Sequence, residues 1–178
     1  MKNDLKEISI GEIISITVGL IAGTALAIYV DWIELVPGLF ILLPGFLEMR
    51  GNISGSLSAR LSSALHLGSL KPRIKNTKIL RENLIATITL VILVSLLLGI
   101  IAYFAGLWFF HINNMKIIYV SIIAALVSNV FMIPLTVYFC FWLYRHGHDP
   151  DNIMGPYITS IGDFVSIVSL LVAILVVV

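Results

Sequence analysis

Long apolar runs separated by short polar breaks dominate the chain, and their continuity differs from the alternation in steps of two of a barrel strand. Residues 13–30, 84–110 and 117–144 are free of charge, and 156–178 are apolar except for Asp163. Residues 35–47 are apolar but short, and they carry Pro37 and Pro44. A helix needs about 20 apolar residues to cross the hydrocarbon of a bilayer. Only helices and closed barrels satisfy the backbone there, and continuous apolar runs exclude the barrel pattern. The pattern predicts an all-α integral membrane protein with five transmembrane helices. The second is complete only if the polar stretch behind Leu47 continues it to Leu65.

Composition agrees with the pattern. Hydrophobic residues make up 59% of the 178 positions, charged residues 12%, and the mean hydropathy is +1.04, whereas soluble domains average about 25% charged residues. The net charge of +1 gives no ground for a nucleic-acid partner, and the single cysteine, Cys140, builds no disulfide framework. Two segments follow: 1–12, a short amphipathic cytoplasmic lead-in, either interfacial or frayed, and 13–178, one transmembrane domain. Threading five spans puts Lys2, Lys6, Lys71, Arg73, Lys75, Lys78, Arg81 and Arg145 on one side and only Lys116 on the other. The positive-inside rule makes the first side cytoplasmic and puts the C-terminus outside.

Ionisable groups at membrane depth are costly and mark functional sites by default. Glu48, Arg50, Arg60 and Asp163 qualify. With helix entry at Pro156, Asp163 lies about 10 Å in, with Thr159 one turn before it, Ser160 within i−3 and Ser166 three residues after. The aspartate is either a proton or cation site or the partner of an arginine, with Arg60 a candidate. Arg50 is deeper and needs a partner, for which Glu48 and Asp163 offer themselves.

The stretch "MRGNISGSLSARLSSALHLG" (49–68) stands out as polar and small inside an apolar chain. As a helix it aligns Gly51, Gly55, Ser58 and Ser62 in one seam, with Asn52, Ser56, Ala59 and Ser63 beside it. Such a seam either lets helix backbones approach closely or lines a wet ion path; spacing leaves both open. In "RHGHDPDN" (145–152), His146, His148, Asp149 and Asp151 either bind a transition metal or form a turn capped by Asp151 or Asn152. His66 and His111 read as structural. No cluster of Cys, Met and His sits at the depth of Asp163, which argues against soft-metal transport.

"RGNISGSLSARLSSALHLG" and "DPDNIMGPYITSIGDF" together resemble the membrane domain of MgtE-type magnesium and divalent-cation transporters, and in particular the version in eukaryotic solute carriers, which join two such domains. The resemblance runs from about Glu12 to Val178. It implies a homodimer in the cell membrane whose ion path lies between subunits, lined by the second and fifth helices. It implies Mg²⁺ as the transported ion, other divalent ions being possible, and no organic cofactor. Asp163, Thr159 and Asn52 would hold the metal; Gly51, Gly55, Ser56, Ala59, Ser160 and Ser166 would line the pore; Asp149, Asp151 and Asn152 would form an acidic cytoplasmic mouth. Bacterial members carry cytoplasmic sensing domains before the first span, so their gating does not transfer to the dozen residues found there.

Two other function classes make different demands. "SGSLSAR" faintly resembles the start of the CDP-alcohol phosphotransferase motif, but Ser54 stands where an aspartate belongs and the downstream aspartates are missing, so no enzyme is expected. A scaffold whose polar seam only packs helices would carry no flux for Asp163 to control.

Overall fold

The computed structural model describes residues 2–73 and 77–178, with the side chains of 2–8 and 10 outside the description. Six helices follow one another: α1 (Lys2–Ile28), α2 (Val30–Glu34), α3 (Leu39–His66), α4 (Lys78–Phe110), α5 (Lys116–Arg145) and α6 (Pro150–Val177). Four of them, α1 from Gly11, α4, α5 and α6, are long and apolar enough to cross a membrane.

The fifth long helix is the one whose hydropathy falls short. α3 runs 28 residues without a break from the apolar run into the polar stretch, about 42 Å at 1.5 Å per residue. Gly38, at φ 87°, turns the chain into it, a conformation glycine adopts without a Cβ penalty. Pro44 sits in the second turn of α3 and removes one helix hydrogen bond without ending the helix.

The expected start of the last helix is corrected. α6 begins at Pro150, six residues before Pro156, and its cap is Asp149, whose side chain accepts from the Asp151 amide at 3.0 Å, in place of Asp151 or Asn152. A proline in the first turn loses no hydrogen bond, and Asp149 directly precedes it. α1 is helical from Lys2; the side chains that define the amphipathic pattern of the lead-in lie outside the described residues, as does Lys75.

α6 packs against α1, α3 and α5, while α4 packs against α3 and α5. Two apolar clusters hold the bundle. One gathers Leu39, Leu42 and Phe46 of α3 with Val120 and Ala124 of α5 and Leu170 and Ala173 of α6. The other joins Leu57, Leu61 and Leu65 of α3 to Met132, Cys140 and Phe141 of α5 and Met154 and Ile158 of α6. Between them lies a polar layer containing Arg50 and Ser54 on α3 and Ser166 on α6, all buried. The outward faces of α1 and α4 expose Ile13, Leu20, Ile88 and Leu97, as lipid-facing helices do.

The seam between α4 and α5 is closed. A Cβ on Gly99 would stand 2.9 Å from the Ile118 Cα, and the Ser121 hydroxyl donates to the Ser95 carbonyl at 2.7 Å. Small residues bring these helices into backbone contact.

Candidate ion site between α3 and α6

Arg50 is fully buried near the middle of α3, and its partner is Asp163. Nη2 donates to Asp163 Oδ1 at 2.7 Å and to the Thr159 carbonyl at 3.2 Å, and Nη1 donates to the Ile158 carbonyl at 3.0 Å. A charge-assisted bond of this length is among the stronger contacts a side chain makes. The guanidinium lies against Gly162, where a Cβ would come within 1.5 Å of Nη1. Its Nε has no hydrogen-bond partner among the described residues.

Arg60, the other expected partner of Asp163, is corrected. Ten residues further along α3, and so about 15 Å away along the axis, it donates to the Ser56 carbonyl and to Thr87 of α4 at 3.1 Å.

Asp163 remains 29% exposed, and it is exposed to a cavity. That cavity, of about 370 Å³, is lined by Pro44, Leu47, Glu48, Gly51, Asn52 and Gly55 of α3 and by Gly155, Ile158, Thr159 and Asp163 of α6. Asn52 donates to Glu48 Oε1 at 3.0 Å, and the Thr159 hydroxyl donates to the Gly155 carbonyl at 2.9 Å. A Cβ on Gly51, Gly55 or Gly155 would meet nothing within 4 Å, so here small residues border open space. The arrangement gathers carboxylate, amide and hydroxyl oxygens without a soft ligand, which is the donor set of a hard divalent cation.

The site residues read from sequence divide accordingly. Asp163, Thr159, Asn52, Gly51 and Gly55 share this cavity. Ser160 and Ser166 face the bundle interior and do not line it: Ser160 is buried and donates to the Pro156 carbonyl, and Ser166 is buried without a partner. Ser56 is exposed on the outer face of α3. Ala59 borders a separate shallow groove with Arg60 and Ser63.

Glu48 is the residue the sequence undervalued. The sequence shows its depth and offers it as a partner for Arg50; on α3 it instead lines the cavity, giving one chain two carboxylates there.

Asp149, Asp151 and Asn152 lie at the start of α6, away from the cavity. Asp149 Oδ1 is 3.2 Å from His66 Nε2, at the end of α3. His66, Asp149 and Asp151 each bring one ligand atom within 4.8 Å of the others. The end of α3 is further held by Tyr144, whose hydroxyl donates to the Leu65 carbonyl at 3.1 Å and whose ring meets His66 edge-on. His66 is 83 residues from Asp149, so no local pattern announces the pair.

Comparison with known proteins bears on this site. The sequence profile of MgtE, described as a divalent cation transporter, matches residues 43–173. Solute carrier family 41 member 2 of Homo sapiens is 26% identical over 157 residues, covering 82% of this chain and 26% of that protein. Solute carrier family 41 member 3 of Mus musculus is 27% identical over 156 residues, covering 82% of this chain and 31% of that protein. The chain thus spans about a quarter to a third of the length of these relatives. No solved structure matches.

Proposed function

The chain belongs to the MgtE family of divalent cation transporters, and from that premise we propose that it carries Mg²⁺ across the membrane along the α3–α6 cavity. It is a multi-pass membrane protein of a transporter family, not an enzyme family. The observation that carries the proposal is that two carboxylates, Glu48 and Asp163, line one cavity with Asn52 and Thr159.

Mg²⁺ sheds water reluctantly and is usually held by one or two carboxylates plus retained waters. A 370 Å³ cavity accommodates a partly hydrated ion. Asp163, Thr159 and Asn52 would hold the ion, with Glu48 as second anion. Gly51, Gly55 and Gly155 would leave room for its water.

The path is completed by a second copy. On the outer face of α3, Asn52, Ser56, Ala59 and Ser63 are exposed in one stripe. Such a face suits lipid poorly, because polar groups in hydrocarbon cost free energy when unpaired. In the proposed homodimer this stripe meets its symmetry mate, and the two-fold axis doubles every ligand. α1, α3, α4, α5 and α6 are then the five spans, with the junctions α3–α4 and α5–α6 cytoplasmic and the C-terminus outside. The acidic α6 start, Asp149, Asp151 and Asn152, would face the cytoplasm and raise the local cation concentration.

Uptake of several divalent ions by proteoliposomes, with and without proton or sodium gradients, tests the proposal. Wild type should take up Mg²⁺, and Asp163→Ala should abolish uptake. Near-normal uptake by the variant would refute the role of Asp163. Absent uptake by a folded wild type would leave the scaffold alternative standing.

A further inference from the structure

Among the described residues Arg50 is the one charged side chain that is fully buried, and transport by carboxylates gives it no task. A structural brace in the membrane would be expected to bury both partners and satisfy every donor. This one does neither. Asp163 is 29% exposed, toward the cavity that also holds Glu48, and Arg50 Nε is buried without a hydrogen-bond partner among the described residues, a cost native interiors usually avoid. The head group nevertheless has a built seat. The carbonyls of Ile158 and Thr159 take its two Nη groups, Nη2 reaches on to Asp163 Oδ1, and Gly162 leaves the space beneath.

We infer that Arg50 sets the ionic selectivity of the site, as a tethered cation that competes with the incoming ion for Asp163. The inference rests on the proposed transport function. Formally two carboxylates line the cavity and the buried guanidinium touches one of them, so the three groups together carry a net charge of −1. A monovalent cation reaching Asp163 brings no more charge than the guanidinium, lacks its two carbonyl bonds, and gives up translational freedom that the tethered group has already lost. A divalent cation brings twice the charge, so its attraction to each carboxylate at equal distance is doubled, and it engages Glu48 as well. The arginine thus raises a threshold that doubly charged ions pass and singly charged ions do not.

Equilibrium binding of Mg²⁺ to purified protein, and its displacement by Na⁺ or K⁺, is read separately from uptake by proteoliposomes. Arg50→Gln should bind Mg²⁺ about tenfold or more tightly, in keeping with the loss of a contact-distance charge, and monovalent ions should now displace it. Arg50→Lys, which keeps the charge but loses the forked pair of carbonyl bonds, should lie between wild type and Arg50→Gln in both readouts. Gly162→Ala expels the guanidinium while removing no polar group, and should reproduce the Arg50→Gln behaviour; it decides the matter if Arg50→Gln does not fold.

Unchanged affinity and unchanged monovalent competition in folded Arg50→Gln would overturn the inference. So would loss of Mg²⁺ binding in Arg50→Gln or Gly162→Ala, or failure of both variants to fold, since Arg50 would then be a brace. Wild type that binds Mg²⁺ with the expected variant pattern yet transports nothing would sink the transport function and leave the competition intact.

Discussion

Two of the polar helix contacts in this protein use glycine to opposite ends. Between α4 and α5, Gly99 and Ser121 close the gap: the glycine faces backbone, and the hydroxyl reaches across to a carbonyl. Between α3 and α6, Gly51, Gly55 and Gly155 face open space, and the helices are joined instead by an ion pair at one edge of a cavity. Small residues permit close approach but do not compel it. At the α3–α6 contact the arginine head group fills the space beside Gly162, while Gly51, Gly55 and Gly155 border the cavity.

The largest effect expected from breaking this contrast is at Asp163, where Asp163→Ala should remove uptake altogether while leaving the α4–α5 seam intact. The arginine left behind in the bundle would keep its two carbonyl bonds but lose its counter-charge; with Asp163 partly exposed, the cost falls below the figure of about 3–5 kcal/mol for a fully buried pair. A thermal unfolding scan of Asp163→Ala in detergent should therefore show a clear fall, and an unshifted transition would show that the pair contributes little.

The glycines offer a crossed comparison. Gly99→Ala places a methyl against the Ile118 backbone and should destabilise by about 1–3 kcal/mol, the usual penalty of overpacking, with uptake per folded protein unchanged. Gly55→Ala meets nothing; it should leave stability equal or raise it by up to about 1 kcal/mol, the helix-propensity gain of alanine, while uptake falls as the cavity narrows. Equal behaviour of the two variants in both assays would erase the distinction between the seams.

Glu48→Gln sharpens the account of the open seam. The amide keeps an oxygen for Asn52 but loses the charge, so Mg²⁺ uptake should fall several-fold yet persist, less than at Asp163. The smallest effect belongs to the closed seam: Ser121→Ala loses one interhelical hydrogen bond, worth about 0.6 kcal/mol on average in membrane bundles. A larger loss, measured by thermal unfolding, would mean that hydrogen bonding rather than packing holds α4 to α5.

Much of this was legible from residue order alone. The lipid environment demands long apolar helices with internally satisfied backbones, so α1, α4, α5 and α6 announce themselves by composition. Asp163 announces itself by being charged where charge is costly, and the polar stretch 49–68 by interrupting an apolar chain. Start signals were harder to place: Pro150 and Pro156 both satisfy the rule for a first-turn proline, and the capping carboxylate of Asp149 decided between them.

Contacts across distant sequence were decided only by the folded bundle. Arg50 and Arg60 carry the same charge on the same helix, yet Asp163 pairs with Arg50, because about 15 Å of helix separates them and only one faces Gly162. His66 and Asp149 meet because α3 ends where α6 starts, and Glu48 turns into the cavity while Ser160 and Ser166 turn out of it. Local order fixes which groups lie at what depth, since depth follows from counting residues along a helix. Rotation and neighbour choice depend on how the apolar clusters at either end lock the helices, and that is a property of the whole bundle.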